Sequence, residues 1–487
     1  MLFRGEHHRR EHQLDATAPG GLKQLKTLLP GATGAIRFSP ASAGCVLVSL
    51  LLLTTSGITQ ETAWEDTCSP AALDTANATA LVNVTLIDGT GAPTRSGTTV
   101  VFSGEHIEAI FPTGSRPLED GIRTIDLAGR YLIPGLIDTH THVATDPSGE
   151  DTRERTERRL CNALLGGVTT IRDMAGDVRA LSSLARDALV GAIVSPDIHY
   201  VALFASLAFF ADPRAGAASA GAIPGALPWM RSMTDTTDLH QSVAEARGTG
   251  ASAIKIYAGL PAGLVRGIVA EAHRQDIPVW SHLYIGPAGP LDVVEAGVDV
   301  VSHASQLALA LGREGARSLL ATDPDSALDL SAPAIDSVLA AMVRLGTIYD
   351  PTLFIYQDRP ATLRVAAGLV ARARDAGVRI SAGTDSLAGA DGVSLPNLHR
   401  EMQLLVELAG LSPAEALDAA TRTAAAATNV LDSRGTVEVG KLADLVVLGA
   451  DPTGDINNTK QVELVVKRGR LYAPATRRLN RSSGVAP

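Results

Sequence analysis

Tyr131-Leu132-Ile133-Pro134-Gly135-Leu136-Ile137-Asp138-Thr139-His140-Thr141-His142 decides how the rest of this chain is read. An apolar run of strand type leads into two histidines one residue apart. On a β-strand, residues i and i+2 point to the same side, so His140 and His142 share a face. Two imidazoles on one face make a bidentate grip on a metal ion. An isolated His-x-His would carry little weight. Behind a buried-type strand and a Pro-Gly step it becomes the anchor of a candidate site.

Downstream, strand-type and helix-type segments alternate, which is the pattern of a parallel sheet built from βα units. Eight strands are expected, over 136–143, 168–173, 198–203, 253–257, 278–282, 298–303, 347–353 and 378–385. Helices are expected over 151–165, 177–190, 261–275, 361–376, 398–408 and 412–428. The last opens with Ser412-Pro413-Ala414-Glu415, a capping box with proline at the first helical position. The expected class is therefore α/β, a (β/α)8 TIM barrel whose chemistry lies at the C-terminal strand ends. Two long connections, 205–237 and 304–337, would rise over that end. A lid or substrate-binding role suits them, and so does a surface or oligomer-contact insertion.

Both flanks of the barrel read as strands: 81–87, 99–102, 106–110 and 124–127 before it, 442–448, 462–467 and 470–472 after it. Neither set is large enough to bury a core by itself. The simplest solution is one small β-sandwich built from both chain ends. The expected organisation is a signal peptide or N-terminal anchor over 1–57 and a flexible leader over 58–79. The sandwich then occupies 80–133 and 433–475, around a barrel over 134–432, with a tail over 476–487.

The 487 residues are 45% hydrophobic and carry a net charge of −10. No basic tract follows the first residues, which argues against nucleic-acid binding. The apolar centre at Cys45–Leu53 is shorter than the roughly 20 residues of a membrane span. It reads as a secretory signal with a cleavage region near Thr55–Gly57, hence a secreted or periplasmic protein. The alternative is an uncleaved membrane anchor with an extracytoplasmic domain. Cys68 and Cys161 could pair in an oxidising compartment; a buried Cys161 with a free Cys68 fits equally well.

Further residues of chemical type stand at strand ends. Lys255 lies inside Ala253-Ile254-Lys255-Ile256-Tyr257, and a buried unpaired lysine is strongly unfavourable, so it needs a reason. His282 ends the fifth strand, His303 the sixth and Asp385 the eighth. Taken singly, either histidine could be a core residue and Asp385 a helix N-cap. Tyr257 shares the face of Lys255, where it could hydrogen-bond an oxyanion or a substrate carboxylate, or simply pack. Arg172, His199 and Tyr200 are weaker candidates; for Arg172 an ion pair with Asp173 or Asp177 is expected.

The order His140, His142, Lys255, His282, His303, Asp385 resembles the amidohydrolase superfamily of metal-dependent hydrolases, over nearly all of residues 80–475. Gly440-Lys441-Leu442-Ala443-Asp444-Leu445-Val446-Val447-Leu448 is similar to a frequent C-terminal signature of that superfamily. The resemblance implies two divalent ions, with zinc expected and manganese, cobalt or iron as alternatives. It implies that His140, His142 and Asp385 hold one ion and that His282 and His303 hold the other. Lys255, carboxylated by CO2, would bridge them. It further implies that Asp385 moves the proton while a hydroxide attacks a polarised carbonyl.

Gly167-Val168-Thr169-Thr170-Ile171-Arg172-Asp173-Met174 and Ile254-Lys255-Ile256 resemble the Xaa-Pro dipeptidase and ochratoxinase-like group, which cleave amide bonds of dipeptides or N-acyl amino acids. Imidazolonepropionases are close relatives that do not use a strand-four lysine bridge. Mononuclear deaminases carry a glutamate soon after the strand-five histidine, where this chain has Leu283-Tyr284-Ile285-Gly286. Trp280-Ser281-His282-Leu283-Tyr284 departs from the smaller residues of the dipeptidase group, so the pocket there differs. The expected function is a secreted amidohydrolase acting on a small molecule, a dipeptide or N-acyl amino acid, as a homo-oligomer. An esterase, lactonase or phosphotriesterase on the same centre is an alternative, as is a mononuclear imidazolonepropionase-like cyclic amidase.

Overall fold

The computed structural model describes residues 68, 78–147, 149, 151–323, 326–387 and 395–473. The expected signal or anchor, most of the leader and the C-terminal tail lie outside them. Among the described residues, seven parallel strands follow one another around a barrel: Leu136–Thr141, Val168–Asp173, Asp197–Ala205, Ala253–Ile256, Val279–His282, Val300–Ser302 and Ile348–Asp350. Each pairs with the next. Period-two alternation sorts their side chains. Ile254, Ile256, Val279, Val301 and Tyr349 pack outward with the helices. Ala253, Trp280, Val300 and Ile348 fill the interior together with Val201 and Leu203. The same parity turns Lys255, His282, Ser302 and Asp350 inward.

The eighth expected strand is not a regular strand. It meets the seventh at one bridge, Tyr349 to Ile380. Tyr349 N–H donates to the Arg379 carbonyl and Ser381 N–H to the Tyr349 carbonyl, each at 2.9 Å; on the other side Thr139 N–H donates to the Ala382 carbonyl at 3.1 Å. The segment thus spans the gap between the seventh and first strands. Gly383 marks the closest approach: a Cβ there would lie 2.2 Å from Asp350 Oδ1 and 2.7 Å from His140 Cβ. Two residues on, Asp385 has φ of +53°, which bends the chain out of extended geometry.

Asp177 caps the helix Val178–Val190, and Ser412 with Glu415 forms the expected capping box. The helix expected over 412–428 is two helices, Pro413–Ala419 and Arg422–Ala427. Around the break, the carbonyls of Ala419 and Ala420 accept hydrogen bonds from Ala382 and Ile137, each at 2.8 Å, so they serve the barrel wall. The connection after the third strand holds the helix Pro213–Ser219 and a hairpin of Ala226–Leu227 and Met230–Ser232, whose second strand adds beside Asp197–Ala205. The later connection is largely helical, with Gly312–Leu320 and Pro333–Leu345.

Strands from both chain ends form one eight-stranded sheet. The join is antiparallel, Tyr131–Pro134 against Leu445–Leu448. The expected sandwich is realised as a single sheet that turns back on itself, since His106 bridges to Leu442. Leu81, Val84, Val100, Leu132, Leu445 and Val447 lie within its own core. A buried ion cluster ties this part to the N-terminal end of the barrel. Asp197, which opens the third strand, receives Lys467 at 2.7 Å and Arg434 and Arg468 at 2.8 Å. Burial would raise the Asp197 carboxyl, but these three cations hold it far below the ordinary carboxylate range. Cys68 and Cys161 form a disulfide, so of the two readings left open by the sequence the paired one holds. No helix among the described residues is long and apolar enough to cross a membrane.

Candidate metal centre

His140 and His142 project from the end of the first strand, as the i, i+2 spacing requires. His140 is buried, with Nδ1 2.8 Å from Asp350 Oδ2. A carboxylate partner places the ring proton on Nδ1 and leaves the Nε2 lone pair free. That Nε2 is buried without a hydrogen-bond partner among the described residues, 3.4 Å from Asp385 Oδ1. His142 is oriented likewise: Nδ1 lies 3.2 Å from the Ala175 carbonyl and Nε2 3.0 Å from Asp385 Oδ1. Donor atoms of His140, His142 and Asp385 all lie within 4.8 Å of one another.

The remaining expected residues adjoin this trio. The His303 ring centroid is 5.0 Å from that of His140 and 4.7 Å from that of His282. Lys255 is fully buried and donates from Nζ to Ser302 Oγ at 3.0 Å. All six residues named from the sequence therefore meet at one end of the barrel interior.

Burial lowers the affinity of His140, His282 and His303 for a proton, the last to about 3, so all three are neutral near pH 7. Burial also opposes charge on His142, but Asp385 and Asp173 outweigh it and raise its pKa. Asp385, partly exposed, is held far below its ordinary range by His140, His142 and His303. Burial, reinforced by Arg172, brings Lys255 down to about 7 against Asp350 and Asp385. Three neutral imidazoles, a fourth, His142, that an arriving cation would deprotonate, an ionised carboxylate and an amine short of its proton form a donor set for a divalent cation. The unpartnered Nε2 of His140 is the atom that such an ion would satisfy. His140, His142 and Asp385 thus fit a divalent ion of the kind the resemblance implies, and the rings of His303 and His282 adjoin them.

Other candidates fall differently. The Tyr257 ring packs on His282 with centroids 4.3 Å apart, and its hydroxyl donates to the Met174 carbonyl at 3.1 Å. Its proton is thereby committed to the backbone, and the ring is the part that faces the site. Phe209, from the connection after the third strand, packs on Tyr257 at 5.1 Å, so that connection does reach the centre. Arg172 does not pair with Asp173 or Asp177. It lies over Trp280, reaches Asp350 at 3.3 Å and donates to the Thr139 and Ala427 carbonyls. Neighbouring strand residues face opposite sides, so Asp173 is out of its reach. His199 lies beside Ser252 and the Asp197 cluster, and Tyr200 donates to the Thr249 carbonyl; neither reaches the centre.

Asp350, Ser302 and Thr352 were not singled out from the sequence. Thr352 Oγ1 lies 3.0 Å from His303 Nδ1. The signal for Asp350 was present: a charged residue inside the expected strand 347–353, the same argument that raised Lys255.

The profile of the amidohydrolase family matches residues 131–472. The imidazolonepropionase of Mesorhizobium japonicum is 28% identical over 368 residues, which span 73% of this chain and 85% of that protein. The ochratoxinase of Aspergillus niger is 26% identical over 450 residues, 82% of this chain and 88% of the other. Among solved structures, a Xaa-Pro dipeptidase with methionine bound in its active site superimposes with a TM-score of 0.65 at 23% identity. It covers 82% of this chain and 100% of that one. The A. niger ochratoxinase structure gives 0.63 at 22%, over 82% of this chain and 96% of its own; at such identities the structural likeness shows the fold.

Proposed function

This chain belongs to the amidohydrolase family, and on that footing we propose that it cleaves the C–N amide bond of a dipeptide or N-acyl amino acid. The observation that carries the reading is the inward-facing, fully buried Lys255 beside four histidines and Asp385. His140, His142 and Asp385 would hold one divalent ion, zinc by expectation, and His282 and His303 a second. Lys255 would bridge them as a carbamate: its neutral amine attacks CO2, an N–C bond forms and the nitrogen loses a proton. When bound, the ions supply Lewis-acid polarisation of the scissile carbonyl and an acidified water.

The side chains perform the remaining steps. Asp385, ionised beside His142, takes the proton of the attacking water and delivers it to the leaving nitrogen. Tyr257 and Phe209 form an aromatic wall against which the apolar part of a substrate packs. The ochratoxinase and Xaa-Pro dipeptidase likenesses support an acyclic amide. The imidazolonepropionase likeness favours a second reading, a cyclic amidase. Lys255 weighs toward the first, because that second group does not use a strand-four lysine. The apolar run at Cys45–Leu53 and the Cys68–Cys161 disulfide support export to an oxidising compartment, free or membrane-anchored.

The test is hydrolysis of a mixed dipeptide and N-acyl-amino-acid library, read by mass spectrometry, with zinc and bicarbonate present. Cleavage abolished by a chelator supports the proposal. No cleavage by protein shown to hold two ions would transfer the assignment to esters, lactones or phosphotriesters.

A further inference from the structure

The seventh strand supplies none of the six residues assigned to the ions, yet its end touches two of them, His140 and His303, and reaches a third, Lys255, through Ser302 of the sixth strand. Asp350 is fully buried and takes hydrogen bonds from four groups. They are His140 Nδ1 at 2.8 Å, Thr139 Oγ1 and Ser302 Oγ at 3.2 Å, and an Arg172 guanidinium nitrogen at 3.3 Å. Ser302 sits opposite Asp350 in register and accepts from Lys255 Nζ at 3.0 Å. Two residues on, Thr352 reaches His303 Nδ1. Its φ of +51° is unusual for a β-branched residue. The turn is held by Glu401, whose carboxylate takes the N–H groups of Leu353 and Phe354 at 3.0 and 2.6 Å.

We propose that Asp350, with Ser302 and Thr352, is the positioning device of the metal centre, and that it fixes the carbamate-bearing lysine as well as two histidines. The inference rests on the metal-centre reading above. The direction of each bond follows from the number of protons available. A serine hydroxyl has one proton. With Asp350 ionised, that proton goes to Asp350, and Ser302 presents only a lone pair to Lys255. The lysine nitrogen must then donate. A carbamate nitrogen retains one N–H, so the same bond survives carboxylation and leaves the new carboxylate to turn away from Ser302. On the other side, Asp350 accepts from His140 Nδ1 and thereby selects the tautomer whose Nε2 lone pair is free.

A merely structural role for Asp350, neutralising the buried Arg172, would move stability and nothing else. Zinc affinity by chelator competition and the 13C signal of carbamate after 13C-bicarbonate loading separate the two. Asp350→Asn should bind zinc about 10–100-fold more weakly. Ser302→Ala should lose carbamate signal, together with some stability because Lys255 Nζ and Asp350 each lose a partner, and Thr352→Val should lower zinc affinity in the same sense as Asp350→Asn. Wild-type zinc affinity and carbamate signal in all three would overturn the inference, whatever happens to stability. If Asp350→Asn does not fold, the other two variants decide. A wild type that binds no zinc overturns the metal-centre reading itself; a zinc-binding wild type with unaffected variants overturns only the positioning device.

Discussion

Lys255 offers the sharpest test of how the barrel prepares its own chemistry. Burial brings its pKa from 10.5 to about 7, which corresponds to about 5 kcal/mol less stabilisation of the ammonium form. Near pH 7.5 the reactive free amine rises from roughly 0.1% of the population to about three-quarters. Only that form attacks CO2. The perturbation is pH at fixed dissolved CO2, applied to metal-free protein mixed with 13C-labelled CO2, with Lys255→Ala as the blank. The initial rate of carbamate formation, read by NMR as the difference between the two proteins, follows the free-amine fraction and should be half-maximal near pH 7. The sign for stability follows from the same displacement. Between about 7 and 10.5 the folded protein binds fewer protons at Lys255 than the unfolded chain, so stability contributed by this group falls as pH falls through that window. A rate that is still rising toward pH 10, as for an exposed lysine, would refute the argument. So would an equal signal in Lys255→Ala.

Three other outcomes are expected. Phe209→Ala should raise KM for substrates with bulky apolar groups about fivefold, the value of about 1 kcal/mol for an aromatic contact, with kcat and small substrates unaffected; an equal change for all substrates would place Phe209 outside the pocket. Asp197→Ala leaves Arg434, Lys467 and Arg468 facing one another and should cost about 3–5 kcal/mol in urea unfolding. Zinc affinity should stay unchanged, since the cluster lies at the opposite end of the barrel. Non-reducing peptide mapping of protein exported from its host should recover Cys68 and Cys161 as one linked peptide; free thiols at both positions would contradict the pairing.

The residues of the site were legible because strands impose a simple rule. Spacing by two put His140 and His142 on one face, a lysine inside an apolar strand marked Lys255, and polar residues at the ends of apolar strands marked His282 and His303. What was missed follows from the same rule, since Asp350 satisfies it and was passed over. The break at residues 420–421 was hidden because residues 412–428 are rich in alanine, which outweighs the weak helix formers Thr421 and Thr423; the carbonyls of Ala419 and Ala420 are drawn off by Ala382 and Ile137, which are remote in sequence.

By itself, then, the sequence determined the alternation of strand and helix, the joining of two chain ends that could not each bury a core, and which side chains face inward. These depend on local periodicity and on the need to bury apolar surface. Only the tertiary structure decided who partners whom. Arg172 passes over its neighbour Asp173 for Asp350, 178 residues away. The eighth segment gives up regular strand geometry where Gly383 lets it press against His140 and Asp350. Cys68 finds Cys161 across 93 residues. Each of these is a choice between short-range and long-range contacts, and close packing in three dimensions, which no local pattern encodes, makes that choice.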